Sequence, residues 1–237
     1  MSSPHAVIIG GSSGIGLATA RQLRASGLKV TITGRTKDRL DEACRAVAGT
    51  EAIVMDAAAI DTLSETLSRI GPFDHLVLAL GSSKGFGPFT SVSVADVRQS
   101  FEEKVYPHFA VAQAALPFLR KDGSITFVAG LSAHGAAPGT AGIGAANAAV
   151  AMFVPILAAE LRPLRVNGVS PGVVDTPWWN FLSAEQKAAA FTEYAAKTPV
   201  GRVGEPDDVA RAIAFLISDT FMNGHVIVCD GGLRLVA

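Results

Sequence analysis

The chain has 237 residues, of which 49% are apolar and 17% charged, a composition typical of a folded globular protein. The formal net charge of -1 gives no electrostatic basis for binding nucleic acid or an anionic membrane. Cys44 and Cys229 lack metal-type spacing, so neither a zinc site nor a disulfide framework is indicated. We therefore expect no nucleic-acid partner and a reducing cellular compartment.

The start of the chain, from Met1 to Gly10, lacks the basic and apolar regions of a secretory signal. No apolar run is expected to reach the ~18 residues that a membrane span needs. These observations predict a cytoplasmic protein with no membrane partner.

Short apolar runs alternate along the chain with longer segments of helical period. Because the short runs are continuously apolar, they predict strands covered on both faces, as in a parallel sheet. The predicted strands are Val7 to Ile9, Val30 to Thr33, Ala52 to Met55, Leu76 to Leu80, Ile125 to Val128, Val166 to Val169 and Val226 to Val228. The predicted crossover helices include Ile15 to Ala25, Ala95 to Leu119, Gly144 to Leu161 and Pro206 to Ser218.

This alternation predicts the α/β class: a Rossmann-type, doubly wound parallel seven-stranded sheet with helices on both faces. Neither a linker nor an internal repeat divides residues 1–237, which predicts a single domain. Residues 178–200 interrupt the alternation with several aromatic side chains. They are predicted to form either a lid over a substrate site or a helical insertion that buries its aromatics in the core.

A glycine-rich turn follows the first predicted strand, from Gly10 to Gly16, and leads directly into a helical run. Glycines at 10, 14 and 16 allow a sharp turn and a close approach of the backbone to a pyrophosphate at the helix N-terminus. The alternative is a purely structural glycine turn. The strand-turn-helix context favours nucleotide binding.

The chain resembles the short-chain dehydrogenase/reductase family, whose members carry TGxxxGxG at this turn. The segment Asn167 to Thr176 is similar to the family's N-x-V-x-P-G-x-V-x-T, which in relatives meets the nicotinamide end of the cofactor. Thr198 to Arg202 and Asp230 to Gly232 resemble the family's C-terminal stretch. The resemblance runs nearly end to end and implies an oxidoreductase fold with a nicotinamide cofactor.

Arg35 favours NADP over NAD. Enzymes that prefer NAD place an acid at the end of the second strand, and here that position is Gly34. The next residue, Arg35, has a guanidinium suited to a 2'-phosphate. The alternative is a solvated arginine at a helix start. Asp56, followed by Ala57, resembles the family's adenine contact, and its alternative role is to cap a turn or helix.

The family's NNAG segment keeps only its glycine here, Gly81. We predict that the cofactor is held by Gly10, Ser12, Ser13, Gly14, Ile15, Gly16, Arg35, Thr36, Asp56, Ala57, Gly81, Asn147, Pro171, Gly172, Val174 and Thr176.

The four positions that carry the family's chemistry are all substituted. Alignment on A-x-Y-x-x-x-K-A-A puts Ile143 at the catalytic tyrosine and Asn147 at the lysine. Gly130 stands at the serine and Lys104 at the asparagine of the preceding long helix. An isoleucine cannot donate a proton, so hydride transfer without a substitute acid would be slower by ~10²–10⁴-fold.

Ser132, His134 and Asn147 are the candidate catalytic residues. Ser132 and His134 follow the strand where the family's serine loop meets substrate, and histidine titrates near neutral pH. The alternative is a flexible loop that carries polar residues by default. Asn147 retains amide donors for a ribose hydroxyl. Lys104 is predicted to lie on a helix surface, with replacement proton donor as the alternative.

Pro107 and Pro155 interrupt two helices and predict bends in them. In relatives these helices form the dimer face, and the stretch from Ala148 to Ala159 is apolar almost all round. A homodimer or homotetramer is therefore predicted, with a helix buried within one chain as the alternative.

Two hypotheses follow. The first is an NADP(H)-dependent oxidoreductase with an atypical catalytic site that acts on a small carbonyl or alcohol. The second is a non-catalytic NADP(H)-binding sensor or scaffold, which the substitutions favour, because a fold alone does not confer a reaction. The sequence predicts no metal site.

Overall fold

The computed structural model of the protein describes residues 3–236, so Met1, Ser2 and Ala237 lie outside the described chain. The strands are β1 (His5–Ile9), β2 (Lys29–Gly34), β3 (Thr50–Val54), β4 (Phe73–Leu78), β5 (Leu119–Val128), β6 (Arg165–Pro171) and β7 (Val226–Cys229). They form one sheet in the order β3-β2-β1-β4-β5-β6-β7, with every neighbouring pair parallel. The predicted seven-stranded Rossmann-type fold is confirmed.

Helices cover both faces of this sheet. They are α1 (Gly14–Ala25), α2 (Lys37–Ala46), α3 (Leu63–Ile70), α4 (Val94–Ser100), α5 (Tyr106–Ala115), α6 (Ala141–Glu160), α7 (Ala184–Lys197) and α8 (Pro206–Ser218). One apolar core packs α3, α5 and α6 against the sheet, with Val111 and Val150 fully buried. The other packs α1, α2 and α8 against the opposite face, with Leu23 and Ile213 buried.

The strand order reverses between β1 and β4, because β1 connects to β2 on one side and pairs with β4 on the other. In an open parallel sheet, the loops at the carboxyl ends of strands diverge at such a reversal and leave a crevice. The loops after β1, β4, β5 and β6 all open at this edge. The fold therefore places the glycine turn and the other candidate segments around one crevice.

The long helix predicted over Ala95 to Leu119 is interrupted. A π-helical turn, Phe101–Val105, separates α4 from α5, and α5 ends at Ala115. Pro107 lacks an N–H and disfavours a regular helix just before it, while Pro117 disfavours helix in the residue that precedes it. Leu119, predicted as the last helical residue, instead begins β5.

Two further expectations need correction. The edge strand β3 is not covered on both faces, since none of its residues is buried and Val54 is 51% exposed. Helix α6 runs through Pro155 as one element, and it is the one helix within residues 3–236 that is long and apolar enough to span a membrane. The expectation that no apolar run reaches that length is therefore wrong. Buried residues of α6, such as Val154, belong to the core, which accounts for part of its apolar character.

Candidate functional site

The glycine turn connects β1 to α1 as predicted. Gly10 and Gly14 have φ values of 81° and 51°, a region that favours glycine. A Cβ on Gly16 would lie 2.2 Å from the carbonyl oxygen of Gly10, so any side chain would force the turn apart. Ser13 occupies the N-cap without a side-chain hydrogen bond, and the first turn of α1 carries no acid. The N-terminal amides of α1 are therefore available to an anion.

Arg35 follows β2 and lies on the wall of the same cavity as Gly14 and Ile15. Among residues 3–236 its guanidinium makes no salt bridge, which leaves its donors available to a ligand. Gly34 packs against Ser12, whose Oγ would be 3.1 Å from a Cβ at that position. Thr36 is exposed at the N-cap of α2 and makes no capping hydrogen bond.

Asp56 and Ala57 lie just beyond β3 but do not line the cavity. The exposed Asp56 accepts a hydrogen bond from the backbone amide of Ala58 at 3.0 Å, which is the turn-capping role stated as the alternative. Ala57 is 7% exposed and packs in the core. Their predicted adenine contact stays a prediction.

The opposite end of the cavity is formed where β6 ends. Pro171, Gly172, Val174 and Thr176 line it, and Gly81 lines it after β4. A Cβ on Gly172 would lie 2.8 Å from the Cα of Asp230, so this close approach requires glycine. These residues face the cavity together, as their predicted role at the cofactor requires.

The four substituted positions also converge on this cavity. Gly130, Ile143, Asn147 and Lys104 all line it, although they come from different elements. Asn147 is 5% exposed and its Nδ2 donates to Ser132 Oγ at 2.9 Å. Its Oδ1 is buried and has no partner among residues 3–236. A Cβ on Gly130 would lie 2.7 Å from Asn147 Nδ2, so the amide occupies the space that a serine at 130 would need.

Lys104 is buried, and the prediction of a surface lysine is wrong. It is 5% exposed on the π-helical turn, and its Nζ donates to the carbonyl oxygen of Ala129 at 3.0 Å. Burial lowers the pKa of Lys104 to about 8. Helical periodicity alone missed this residue, because the π turn changes which face a side chain occupies. Pro107, just downstream, was the available signal.

His134 does not join the other candidates. It lies outside the residues that line the cavity, and its Nε2 lies 2.9 Å from Ser170 Oγ. Burial, and then the charge of Arg234, lower the pKa of His134 below its ordinary value. A lowered pKa makes His134 less protonated at neutral pH, so this geometry does not favour its catalytic role, which stays a prediction.

Residues 178–200 cover the cavity. They form a short 3-10 helix, Pro177–Phe181, and then α7. Trp178 Nε1 donates to the carbonyl of Ser82 at 2.8 Å, and Trp179 Nε1 donates to that of Val174 at 3.0 Å. Both indole N–H groups are thus satisfied by backbone. The Trp178 ring lies 6.3 Å from that of Phe86 between centroids.

These aromatic residues, together with Tyr194, line the cavity, and they pack against one another outside the two main cores. The segment therefore lies against the cavity and does not bury its aromatics in the main cores, as the second alternative expected. Its role as a lid stays a prediction. Phe86 and Ser82, from the loop after β4, were not identified in the sequence, because that loop carries no regular pattern.

The cavity has a volume of about 910 Å³ and extends from the glycine turn to the aromatic cover. No cluster of His, Cys, Asp or Glu within residues 3–236 is arranged to hold a metal ion. The arrangement offers an anion site at one end, a polar floor in the middle and an apolar wall at the other end. Such a cavity can hold an elongated, charged cofactor beside a small apolar ligand.

A sequence profile described as enoyl-(acyl carrier protein) reductase matches residues 10–234. Cis-4-hydroxycyclohexanecarboxylate dehydrogenase of Sinomonas cyclohexanicum is 34% identical, and the alignment covers 98% of this chain and 96% of that protein. The short-chain dehydrogenase/reductase ATR9 of Stachybotrys chlorohalonatus is 32% identical, with 97% of this chain and 96% of that protein covered.

Solved structures of dehydrogenases are also similar to this chain over nearly its whole length. A small-chain dehydrogenase in complex with NADPH is 29% identical with a TM-score of 0.86, covering 99% of this chain and 100% of that chain. A glucose/ribitol-type short-chain dehydrogenase/reductase from Brucella melitensis is 32% identical with a TM-score of 0.88, covering 97% and 96%.

Proposed function

The chain belongs to the short-chain dehydrogenase/reductase family, and on that basis we propose that it is an NADP(H)-dependent oxidoreductase acting on a small, partly apolar carbonyl or alcohol. The observation that carries the proposal is the single cavity of about 910 Å³. It joins the glycine turn, Arg35 and the loop after β6 to an aromatic-covered space. A protein that only binds a nucleotide does not need the additional, aromatic-covered part of the cavity.

The residues present fit a dinucleotide. The α1 amides and the side-chain-free surface of Gly14 and Gly16 suit a pyrophosphate. Asn147 and the segment from Pro171 to Thr176 line the cavity where a nicotinamide riboside would be held. When bound, this cofactor supplies or accepts a hydride. The remaining cofactor residues assigned from the sequence stay predictions.

The choice of NADP rests on Arg35 and its neighbour Arg39, both of which line the cavity. A 2'-phosphate would give these guanidinium groups an anion, and Gly34 leaves no carboxylate to repel it. The structural neighbour solved with NADPH agrees with this choice.

At the reacting centre, Ser132 is proposed to polarise the carbonyl oxygen. Ser132 Oγ accepts a hydrogen bond from Asn147, so its own O–H is available for a substrate in the cavity. The rings of Trp178 and Trp179, whose N–H groups bond backbone, would pack against an apolar substrate. The cover over residues 178–200 is proposed to exclude water from this centre.

The test compares NADPH and NADH binding and turnover over a panel of ketones, aldehydes and quinones, with Arg35→Ala beside the wild type. Since hydrogen bonds to charged groups contribute about 1.5–3 kcal/mol, Arg35→Ala should weaken NADPH binding by about 10- to 100-fold and leave NADH binding unchanged. Arg69→Ala, an exposed arginine on α3, is the matched control. Equal affinity of the wild type for the two cofactors would refute the role of Arg35.

A second candidate is a non-catalytic NADP(H)-binding sensor or scaffold. It is favoured by Ile143, which is 7% exposed and faces the cavity where the family carries its tyrosine. Tight NADPH binding without turnover on the whole panel would support the sensor, whereas turnover on any compound would exclude it.

We also propose that the chain forms a homodimer or homotetramer through α5 and α6. Three large apolar side chains on these helices are about half exposed: Phe109 at 50%, Met152 at 57% and Ile156 at 50%. A symmetric contact would bury them. A cytoplasmic location remains a prediction from the sequence.

A further inference from the structure

Lys104 carries a buried charge that no acid in the described chain neutralises. Its Nζ makes one hydrogen bond among residues 3–236, to Ala129, and no acid in that range pairs with it. An ammonium group has three N–H donors, so two remain for a ligand. An unpaired buried cation is costly, and charged groups in such settings are more frequent at functional sites than elsewhere. Because Lys104 lines the cavity, the ligand in that cavity can satisfy these donors.

Asn147 presents the complementary group. Its Oδ1 is buried without a partner in residues 3–236, and the residue lines the same cavity. An alcohol accepts one hydrogen bond and donates another. Lys104 and Asn147 therefore offer a donor and an acceptor that suit the oxygen of a reduced substrate. Relative to the family pattern, the amide and the amine have exchanged elements: the lysine lies before α5 and the asparagine on α6.

Among the titratable residues that line the cavity, Lys104 is the only one that is buried in the described chain. His108 Nδ1 lies 2.7 Å from the backbone oxygen of Lys104, and burial lowers the pKa of His108 to about 3, so it stays neutral. Glu103 accepts a hydrogen bond from Ser82 at 2.6 Å. Helix α6 places no charged side chain on the cavity wall, and its polar residue there is Asn147. The other titratable residues that line the cavity are exposed or half-buried: Arg35, Arg39, Glu193, Tyr194, Lys197 and Arg234.

We propose that Lys104 is the catalytic acid that protonates the substrate oxygen. The inference rests on the proposed function. In the reducing direction, the carbonyl carbon gains a hydride, which carries the two electrons, from NADPH, and NADPH is thereby oxidised to NADP⁺. An N–H bond of the Lys104 ammonium breaks and an O–H bond forms on the substrate. The neutral amine then takes a proton from solvent.

The pH dependence follows from the acid. Burial lowers the pKa of Lys104 to about 8, so the ammonium predominates at pH 7 and is lost as the pH rises through that value. Reduction should therefore slow above pH about 8, and oxidation, which needs the free amine, should accelerate over the same range.

The test measures kcat/KM for reduction from pH about 6 to about 10 in the wild type, Lys104→Met and Lys104→Arg, with Lys121→Met as an exposed-lysine control. Lys104→Met should lose about 10²–10⁴-fold in kcat/KM and retain NADPH affinity, since the lysine is assigned to the substrate. Lys104→Arg should lose the decline above pH about 8, because arginine stays protonated. Lys121→Met should match the wild type.

Folding is checked independently. Replacing an unpaired buried ammonium by methionine should leave the Tm unchanged or higher. If the wild type turns over and Lys104→Met stays within about threefold of it, the inference is overturned while the proposed function stands. A wild-type kcat/KM that does not change across pH about 8 would also overturn the inference and leave the proposed function standing. If NADPH binds but the wild type reduces nothing on the panel, the proposed function fails and this inference fails with it.

Discussion

The fit between Gly130 and Asn147 can be tested without any substrate. A Cβ at position 130 would lie 2.7 Å from Asn147 Nδ2, well inside van der Waals contact. The φ of Gly130 is 179°, extended backbone that any residue adopts, so Gly130→Ala introduces crowding and no backbone strain. To relieve the crowding, the Asn147 side chain must rotate, and its 2.9 Å hydrogen bond to Ser132 Oγ is then lost.

The magnitude follows from these two effects. Overpacking of a buried site lowers the free energy of unfolding by about 1–3 kcal/mol. If the amide rotates away, the lost hydrogen bond accounts for about 0.5–1.5 kcal/mol of that cost. In an Asn147→Ala background the obstacle is gone, so Gly130→Ala should cost close to nothing. The double-mutant cycle should therefore give a coupling free energy of at least about 1 kcal/mol.

The assay is thermal and urea unfolding of the wild type, Gly130→Ala, Asn147→Ala and the double variant. For a chain of this length each 1 kcal/mol should shift the Tm by about 2–4 °C. Gly135→Ala, in the same loop, is the matched control, because its Cβ would be 3.8 Å from the carbonyl oxygen of Leu131, an ordinary contact. Equal costs of Gly130→Ala in both backgrounds would refute the reasoning.

Two further predictions concern residues outside the reacting centre. His134→Ala should keep kcat within about threefold of the wild type. It should also lower the free energy of unfolding by about 1 kcal/mol, because the contact with Ser170 is lost. A hundredfold loss of kcat would show that His134 is a catalytic residue. Met152→Asp should convert the proposed oligomer to monomers in light scattering, because an unpaired charge is costly to bury in an interface. Val54→Asp, on the exposed edge of β3, is the control and should leave the mass unchanged. An unchanged mass for both variants would exclude α6 from the interface.

Among residues 3–236, the strands and most helices could be predicted from the sequence because their signals are local. Continuous apolar runs predict buried parallel strands. The glycine turn is predictable because Gly10, Gly14 and Gly16 occupy positions where a side chain would be strained or would clash. Helix α8 has the predicted bounds, Pro206–Ser218, since proline is favoured in the first turn of a helix. The substitutions at Ile143 and Asn147 were likewise readable by alignment alone.

The tertiary structure alone decided how the polar groups of the site are arranged. Lys104 was assigned to a surface because the π turn before Pro107 has no distinctive periodicity. His134 was placed in the site because it follows the strand where the family's serine loop meets substrate, but it does not line the cavity. Burial, hydrogen-bond partners and pKa shifts depend on atoms brought together from distant parts of the chain. The sequence therefore determined the sheet and the glycine turn, because their signals are local. Three-dimensional packing determined which polar side chains are buried around the cavity and which partners they have.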